Sequence, residues 1–124
     1  MSSNTKTILA CDDEPIILEI VEYVVKDENY NLITADNGKD ALQIARKAKP
    51  DLIMLDDNMP ELTGFEVCKI LKNDDETKNI IIVMFTANTQ ASDYEKAESY
   101  GANEFIKKPF SPKELKLKLR DLLG

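Results

Sequence analysis

Five polar residues of this sequence stand just after short apolar runs: Asp12 and Asp13, Asp56, Thr86 and Lys108. Three carboxylates held about 4 Å apart would repel by about 4 kcal/mol per pair at an effective dielectric constant of about 20, so they either raise their pKa values or bind a cation. Oxygen ligands without histidine or cysteine select a hard ion, Mg²⁺ or Ca²⁺. A carboxylate beside such an ion can attack phosphorus, while an ammonium and a hydroxyl stabilise charge on the phosphoryl oxygens. Brought together, these residues would form a phosphoryl-transfer site with Asp56 as nucleophile, Asp13 on the metal, and Thr86 and Lys108 on the phosphoryl group.

The composition argues against several other kinds of chemistry. The chain has 124 residues and no histidine, which excludes histidine-based acid–base catalysis, Ser-His-Asp triads and histidine-ligated zinc. Cys11 and Cys68 lie far apart without metal-ligand spacing, and we expect both to be reduced and buried in a cytoplasmic protein. The net charge of −7 predicts no nucleic-acid partner. No apolar run approaches the roughly 20 residues of a membrane span, and no Gly-rich nucleotide motif occurs, so we expect neither a membrane partner nor an organic cofactor.

The apolar pattern alternates between runs of strand length and helical spacing. The predicted strands cover residues 7–11, 30–35, 52–55, 80–85 and 104–106. Helical patterns begin at Pro15, cover residues 41–48, 64–71 and 90–100, and begin again after Ser111, the expected N-cap of the last helix. In the first helix, apolar residues recur at positions 16, 17, 20, 21 and 24. Five strands alternating with five helices predict an α/β fold with a parallel sheet.

The polar residues all fall near the carboxyl ends of the predicted strands. In an open parallel sheet, ligands bind outside those ends, at the point where the strand order reverses. We therefore expect the five side chains to meet at one edge of the sheet, where the phosphoryl-transfer chemistry described above would take place.

The order of these residues resembles that of the response-regulator receiver domain of two-component signalling. The matching motifs are Asp12-Asp13, the Asp-Asp-Asn-Met-Pro run at residues 56–60, Thr86-Ala87 and Lys108-Pro109-Phe110, and the match covers nearly the whole chain. The resemblance implies a flavodoxin-like, doubly wound sheet of five parallel strands in the order 2-1-3-4-5 with five helices. It also implies that residues 1–124 form a single receiver domain.

The resemblance assigns roles at the acceptor and metal positions. Asp56 is implied to be the phosphoacceptor, because it opens the Asp-x-x-Met-Pro motif. Mg²⁺ is the implied cofactor, with Asp13 as a direct ligand and Asp12 acting largely through water. The backbone carbonyl of Asn58 is implied to supply a further ligand.

The resemblance also assigns roles around the phosphoryl group. Thr86 is implied to be a switch hydroxyl that turns toward the phosphoryl group. Lys108 matches the lysine of the family motif, and its peptide bond to Pro109 is expected to be cis. Phe105 matches an aromatic switch position and is expected to rotate inward upon phosphorylation.

Neighbouring residues and rival motifs fit the spacing less well. Asp57 adjoins Asp56, but the alternation of side chains at a strand end should turn it away. Lys107 adjoins Lys108, yet only Lys108 precedes the proline. An EF-hand loop starting at Asp56 would require Gly rather than Glu at residue 61. A phosphatase of the haloacid dehalogenase type would require Asp rather than Asn at residue 58.

The predicted function is that of a phosphoacceptor receiver. A histidine kinase or phosphotransfer protein would donate the phosphoryl group from its phosphohistidine to Asp56, and slow autodephosphorylation, tuned by Asn58 and Asn88, would remove it. The domain is then not a conventional enzyme, although it catalyses its own phosphorylation and dephosphorylation. The output is expected through the face formed by the fourth helix, fifth strand and fifth helix of a monomer, with a dimer as the alternative. Two other functions stay open: a receiver-fold interaction module that does not use phosphate, and a receiver fragment of a larger regulator.

Overall fold

The computed structural model describes residues 5–57, 59, 61–86, 95 and 101–124. The strands are β1 (Thr7–Cys11), β2 (Asn31–Ala35), β3 (Leu52–Asp56), β4 (Ile81–Thr86) and β5 (Glu104–Lys107). The helices are α1 (Pro15–Asp27), α2 (Gly38–Ala48), α3 (Gly64–Lys72) and α4 (Pro112–Leu123). Every predicted strand is confirmed, with small differences at the ends. The helix predicted over residues 90–100 lies, apart from residue 95, outside the described residues, so the prediction of five helices is confirmed for four.

The five strands form one parallel sheet in the order β2-β1-β3-β4-β5. This order confirms the doubly wound sheet that the family resemblance implied. Cys11 lies beside Leu55, and Asp56 lies beside Phe85. The register therefore brings the carboxyl ends of β1, β3 and β4 to the same edge of the sheet, with β1 and β3 adjacent at its centre.

Both faces of the sheet are covered by helices, which explains why the strands are continuous apolar runs rather than alternating ones. All five residues of β3 are buried. On one face, α2 and α3 pack over the sheet through residues that include Ala41, Ala45, Val67, Cys68 and Leu71. On the other face, α1 and α4 pack through residues that include Val21, Val24, Val25, Leu115 and Leu119. Truncating one of these larger aliphatic side chains to alanine typically costs about 2–5 kcal/mol of stability.

The apolar positions of α1 divide between the core and the surface. Ile17, Val21 and Val24 are buried as the helical spacing predicts, whereas Ile16 is 61% exposed. Ile16 lies in the first turn of the helix. None of the helices within the described ranges is long and apolar enough to cross a membrane.

Side-chain caps mark the start of α2, α3 and α4, whereas α1 begins without one. The Ser111 hydroxyl accepts a hydrogen bond from the amide of Glu114 at 3.1 Å, which confirms the predicted N-cap of the last helix. At the start of α3, Thr63 and Glu66 form a reciprocal capping box. Because α3 follows the acceptor strand β3 after a short loop, this cap helps to fix the loop on one side of the candidate site.

Candidate functional site

Asp12 lies at the carboxyl end of β1 and is fully buried. Its Oδ1 atom accepts a hydrogen bond from the backbone amide of Glu14 at 2.9 Å, which holds the turn that leads into α1. Its own amide donates to the carbonyl of Ala35 at the end of β2. Asp13, the next residue, is exposed. The turn therefore presents one buried carboxylate and one exposed carboxylate at the sheet edge.

Asp56 is the last residue of β3 and is only 4% exposed. The sequence pattern predicted that it would follow the strand, but its position beside Phe85 extends the parallel pairing by one residue. Asp57 is half-buried, and its amide donates to the carbonyl of Phe85 at 3.0 Å. Among the described residues, the carboxylate cluster at this edge includes Asp56 and not Asp57, in agreement with the expected alternation of side chains.

Lys108, which follows β5, contacts the carboxylates through its ammonium group. Its amide donates to the Thr86 carbonyl at 2.7 Å, and its peptide bond to Pro109 is cis, as the resemblance implied. Its Nζ lies 2.8 Å from Glu14 Oε1, 2.9 Å from Asp12 Oδ2 and 3.2 Å from Asp56 Oδ1. The neighbouring Lys107 is exposed. Of the two lysines, Lys108 is therefore the one whose ammonium contacts the carboxylates.

The ammonium of Lys108 sits in a strongly negative environment. Burial by itself would lower the pKa of Lys108, but the hydrogen bond to Glu14 and the charges of Asp12 and Asp56 raise that pKa above its ordinary value. The contact with Asp12 Oδ2 is an ion pair without hydrogen-bond alignment. That oxygen is buried and has no hydrogen-bond partner among the described residues. One cation therefore faces three carboxylates and leaves one buried carboxylate oxygen incompletely satisfied.

Thr86 lies on β4, the strand beside β3, and Phe105 lies on β5, the next strand outward at the edge of the sheet. Thr86 is the last residue of β4 and is 4% exposed, so it is buried at the carboxyl end of that strand. Phe105 pairs with Met84 in the sheet register and packs, partly buried, against the core under α2 and α3. The structure places both residues near the site without testing the switch roles predicted for them.

The loop between β3 and α3 is anchored by sulfur packing. Met59 is buried, and its Sδ lies 3.2 Å from the Sγ of Cys11 at the end of β1. Cys11 and Cys68 are both free and buried, as predicted. Burial, aided by the nearby Asp12, raises the pKa of the Cys11 thiol to about 12. Asn58, the predicted source of a carbonyl ligand, and Asn88 lie outside the described residues.

Glu14 belongs to the site but was not predicted to do so. Its hydrogen bond to Lys108 joins residues 94 positions apart, at the start of α1 and after β5. In the sequence it was interpreted only as the start of a helix. The available signal was the run of three acids, Asp12 to Glu14, directly after a buried strand.

The donor set fits a hard divalent cation. Ligand oxygens of Asp12, Asp13, Glu14 and Asp56 all lie within 4.8 Å of one another. An octahedral Mg²⁺ with oxygens at about 2.1 Å would hold its ligands within about 4.2 Å of one another, so small side-chain shifts suffice. The buried Asp12 oxygen without a hydrogen bond would gain a partner from such an ion or its water. The oxygen-only chemistry of the cluster excludes a preference for soft metals.

Comparison with known proteins agrees with this geometry. The chain matches the family model of the response regulator receiver domain over residues 8–120. It is 38% identical over 118 residues to the alkaline phosphatase synthesis transcriptional regulatory protein PhoP of Bacillus subtilis, covering 95% of this chain and 48% of that protein. The chain spans about half the length of the curated relatives it matches.

Solved structures give the same result. The chemotaxis response regulator CheY4 of Vibrio cholerae superposes with a TM-score of 0.90 at 34% identity, covering 95% of this chain and 98% of that one. The receiver domain of the sensor histidine kinase PA1611 from Pseudomonas aeruginosa, solved with a magnesium ion in its active-site cleft, superposes with a TM-score of 0.87 at 25% identity, covering 97% and 98% of the two chains. With the family model matching most of its length, the chain belongs to the response regulator receiver domains of two-component signalling.

Proposed function

We propose that this receiver domain accepts a phosphoryl group on the carboxylate of Asp56. The observation that carries the proposal is the position of Asp56: a buried carboxylate at the end of a central strand, 3.2 Å from the Lys108 ammonium and within one cluster with Asp12 and Asp13. A carboxylate oxygen would attack phosphorus in line with the donor's leaving group, which departs with the electrons of the broken bond. Asp57, outside the cluster, is the less suitable acceptor.

We also propose Mg²⁺ as the cofactor, held by Asp13 and Asp56 directly and by Asp12 largely through water. The Asn58 carbonyl is the further ligand in this proposal. When bound, Mg²⁺ would neutralise charge on the acceptor and on the phosphoryl oxygens. The support is the oxygen-only donor set, the unsatisfied oxygen of Asp12, and the magnesium ion named in the PA1611 receiver structure.

Lys108 and Thr86 are proposed to act on the phosphoryl group itself. The Lys108 ammonium is already beside the Asp56 carboxylate, so it can stabilise charge on the transferring group without a large movement. Thr86 ends the neighbouring strand β4, and its hydroxyl would donate to a phosphoryl oxygen. Both residues would then exclude part of the water from the site. They would also hold the phosphoryl group in position while Asp56 reacts.

The same contacts would produce the switch. If Thr86 turns toward the phosphoryl group, it vacates space near β5, and Phe105 can rotate inward from its partly buried position. The surface that includes β5 and α4 would then change, together with the predicted helix over residues 90–100. Slow autodephosphorylation, influenced by Asn58 and Asn88, would reset the domain. The single domain over residues 1–124 and a monomeric state belong to the same proposal.

These 124 residues contain no histidine, so we propose that the phosphoryl group comes from outside this domain. From the family we propose a histidine kinase or phosphotransfer protein as the partner. The expectation of no nucleic-acid partner fits the longer relatives poorly, since PhoP is named as a transcriptional regulatory protein. For this chain we propose no direct nucleic-acid contact, because its net charge is −7. Cytoplasmic location stays a prediction.

The proposal can be tested by intact mass spectrometry after incubation with acetyl phosphate and Mg²⁺. We expect addition of one phosphoryl group to the wild-type chain, and none when Mg²⁺ is removed by a chelator. Asp56→Asn should abolish the addition, whereas Asp57→Asn, which removes the adjacent carboxylate, should be labelled like the wild type.

Two outcomes would redirect the assignment. Labelling that survives Asp56→Asn and disappears in Asp57→Asn would move the acceptor to Asp57. A wild-type chain that stays unlabelled, while a receiver domain of known activity is labelled in parallel, would favour the phosphate-independent interaction module. A receiver within a larger regulator would be labelled in the same way as the isolated domain, so this test addresses the site and not the length of the protein.

A further inference from the structure

Glu14 is the member of the carboxylate cluster to which the proposed function gives no role. Its Oε1 accepts a hydrogen bond from Lys108 Nζ at 2.8 Å. Its side chain is 54% exposed, whereas those of Asp12 and Asp56 are 0% and 5% exposed. Its backbone amide is held by Asp12 Oδ1, so the position from which the side chain extends is well defined. Glu14 therefore offers Lys108 a charged partner at the solvent side of the site.

The three partners of Lys108 differ in how easily they can be given up. If the ammonium shifts toward an incoming phosphoryl group, at least one of its contacts must lengthen. Leaving a buried carboxylate such as Asp12 uncompensated is strongly unfavourable. Returning the half-exposed Glu14 carboxylate to water costs little, because water replaces the lost hydrogen bond. Glu14 is the contact that Lys108 would release.

We propose that Glu14 is a positioning residue that holds the Lys108 ammonium in a resting ion pair and competes with the phosphoryl group for it. The inference rests on the proposed function, in which Asp56 accepts the phosphoryl group. In that step a bond forms between an Asp56 oxygen and phosphorus while the bond between phosphorus and the leaving carboxylate of acetyl phosphate breaks, and acetate departs. The ion pair with Glu14 slows the step because it must weaken before Lys108 follows the phosphoryl oxygens.

A simpler effect of Glu14 must be separated from this one. Its negative charge also repels an anionic phosphodonor, and removing the charge would speed labelling without any role for Lys108. Glu14→Asp separates the two explanations. It keeps the charge at the same backbone position but is shorter by one methylene, so the carboxylate no longer reaches Lys108. Glu14→Gln removes the charge while keeping the length of the side chain.

The experiment measures initial rates of Asp56 labelling by acetyl phosphate and Mg²⁺, using intact mass spectrometry. We expect Glu14→Gln and Glu14→Asp each to label about fivefold faster than the wild type, the upper end for the loss of a partly exposed ion pair. The control Glu19→Gln, which removes an exposed charge further along α1, should leave the rate unchanged. In a Lys108→Met background, where labelling is slow, Glu14→Gln should add nothing, because the two residues then act as one unit.

Each other result overturns the inference in a recognisable way. Acceleration by Glu14→Gln but not by Glu14→Asp would assign the effect to donor repulsion. An equal acceleration in the Lys108→Met background would show that Lys108 is not involved. Unchanged or slower labelling in both Glu14 variants, with urea unfolding curves like the wild type, would show that the ion pair does not restrain Lys108. If the wild-type chain itself is not labelled, the proposed function fails first, and this inference fails with it.

Discussion

A Cβ atom at Gly64 would stand 2.0 Å from the backbone carbonyl oxygen of Asp56. No heavy-atom contact of that length is tolerated, so the first residue of α3 can lie this close to the acceptor strand only as glycine. The contact brings the start of a helix against the backbone of the proposed phosphoacceptor. The position of the Asp56 carboxylate therefore depends on a residue with no side chain at all.

We expect Gly64→Ala to displace Asp56 or α3 and to lower the free energy of unfolding by about 1–3 kcal/mol, as for an overpacked core position. Urea unfolding measures the loss, and the rate of labelling by acetyl phosphate should fall in the same variant. Gly124→Ala is the comparison variant: φ there is +78°, but no atom of the described residues lies within 4 Å of the Cβ position, so it reports the cost of backbone strain without a close contact. A Gly64→Ala protein with wild-type stability and labelling would contradict the close approach.

We expect Asp13→Asn to be at least as stable as the wild type without metal and less stable than the wild type with Mg²⁺. The carboxylates of the cluster repel one another, so we expect the variant without metal to be as stable as the wild type or more stable, by up to about 1 kcal/mol. Millimolar MgCl₂ should raise the melting temperature of the wild type by mass action and have little effect on Asp13→Asn.

The four values are the melting temperatures of the wild type and of Asp13→Asn, each measured once with a chelator and once with MgCl₂. Asp121→Asn, which removes an exposed acid from α4, is the control for a general loss of negative charge. Equal stabilisation of the wild type and Asp13→Asn by MgCl₂ would place the cation elsewhere.

The capping box of α3 should contribute measurably to stability. Thr63 Oγ1 accepts from the Glu66 amide at 3.2 Å, and Glu66 Oε1 accepts from the Thr63 amide at 3.1 Å. Thr63→Ala removes one of these bonds and should cost about 1 kcal/mol in urea unfolding. Thr63→Ser keeps the hydroxyl and should lose much less. Similar losses in the two variants would mean that the Thr63 methyl group, rather than the cap, provides the stabilisation.

Cys68 should make the protein less stable at alkaline pH. Burial raises the pKa of its thiol from 9.0 to about 11, with Lys72 opposing the shift. A group whose pKa is raised by folding contributes its stability fully below its unfolded pKa and loses that contribution as the pH rises through the folded value. The loss should therefore develop between about pH 9 and pH 11 and reach roughly 2–3 kcal/mol, because only the unfolded chain ionises easily in that range.

The measurement is urea unfolding at a series of pH values for the wild type and Cys68→Ala. The variant loses stability at every pH because a cavity forms, but its alkaline slope should be shallower than that of the wild type. Parallel slopes would mean that the buried thiol ionises as easily as a free one. Cys11 is present in both proteins, so its own contribution cancels in the comparison.

The fold class and the residues of the candidate site could both be predicted from the sequence. Continuous apolar runs such as that of β4 favour strands covered on both faces, and this predicts a parallel sheet between two layers of helices. The doubly wound strand order was implied by the family resemblance. Parallel strands place their carboxyl ends on one edge, so Asp12, Asp56 and Thr86 were brought together by chain direction alone. The choice of Lys108 over Lys107 followed from the motif, and Lys108 is the lysine whose ammonium lies beside Asp12 and Asp56.

The tertiary structure was needed to show which charged side chains contact each other and where two segments of backbone approach closely. Apolar spacing marks Ile16 and Ile17 alike as apolar positions of α1, and only the structure shows that Ile16 is 61% exposed while Ile17 is buried. The contact between Glu14 and Lys108 depends on the separation of β1 and β5 and on how far each side chain reaches, and neither is encoded in a local pattern. The same holds for Gly64, whose requirement comes from a carbonyl oxygen on another element. Distances between elements are set by the packing of the whole core, and a sequence pattern records only which residues take part in it.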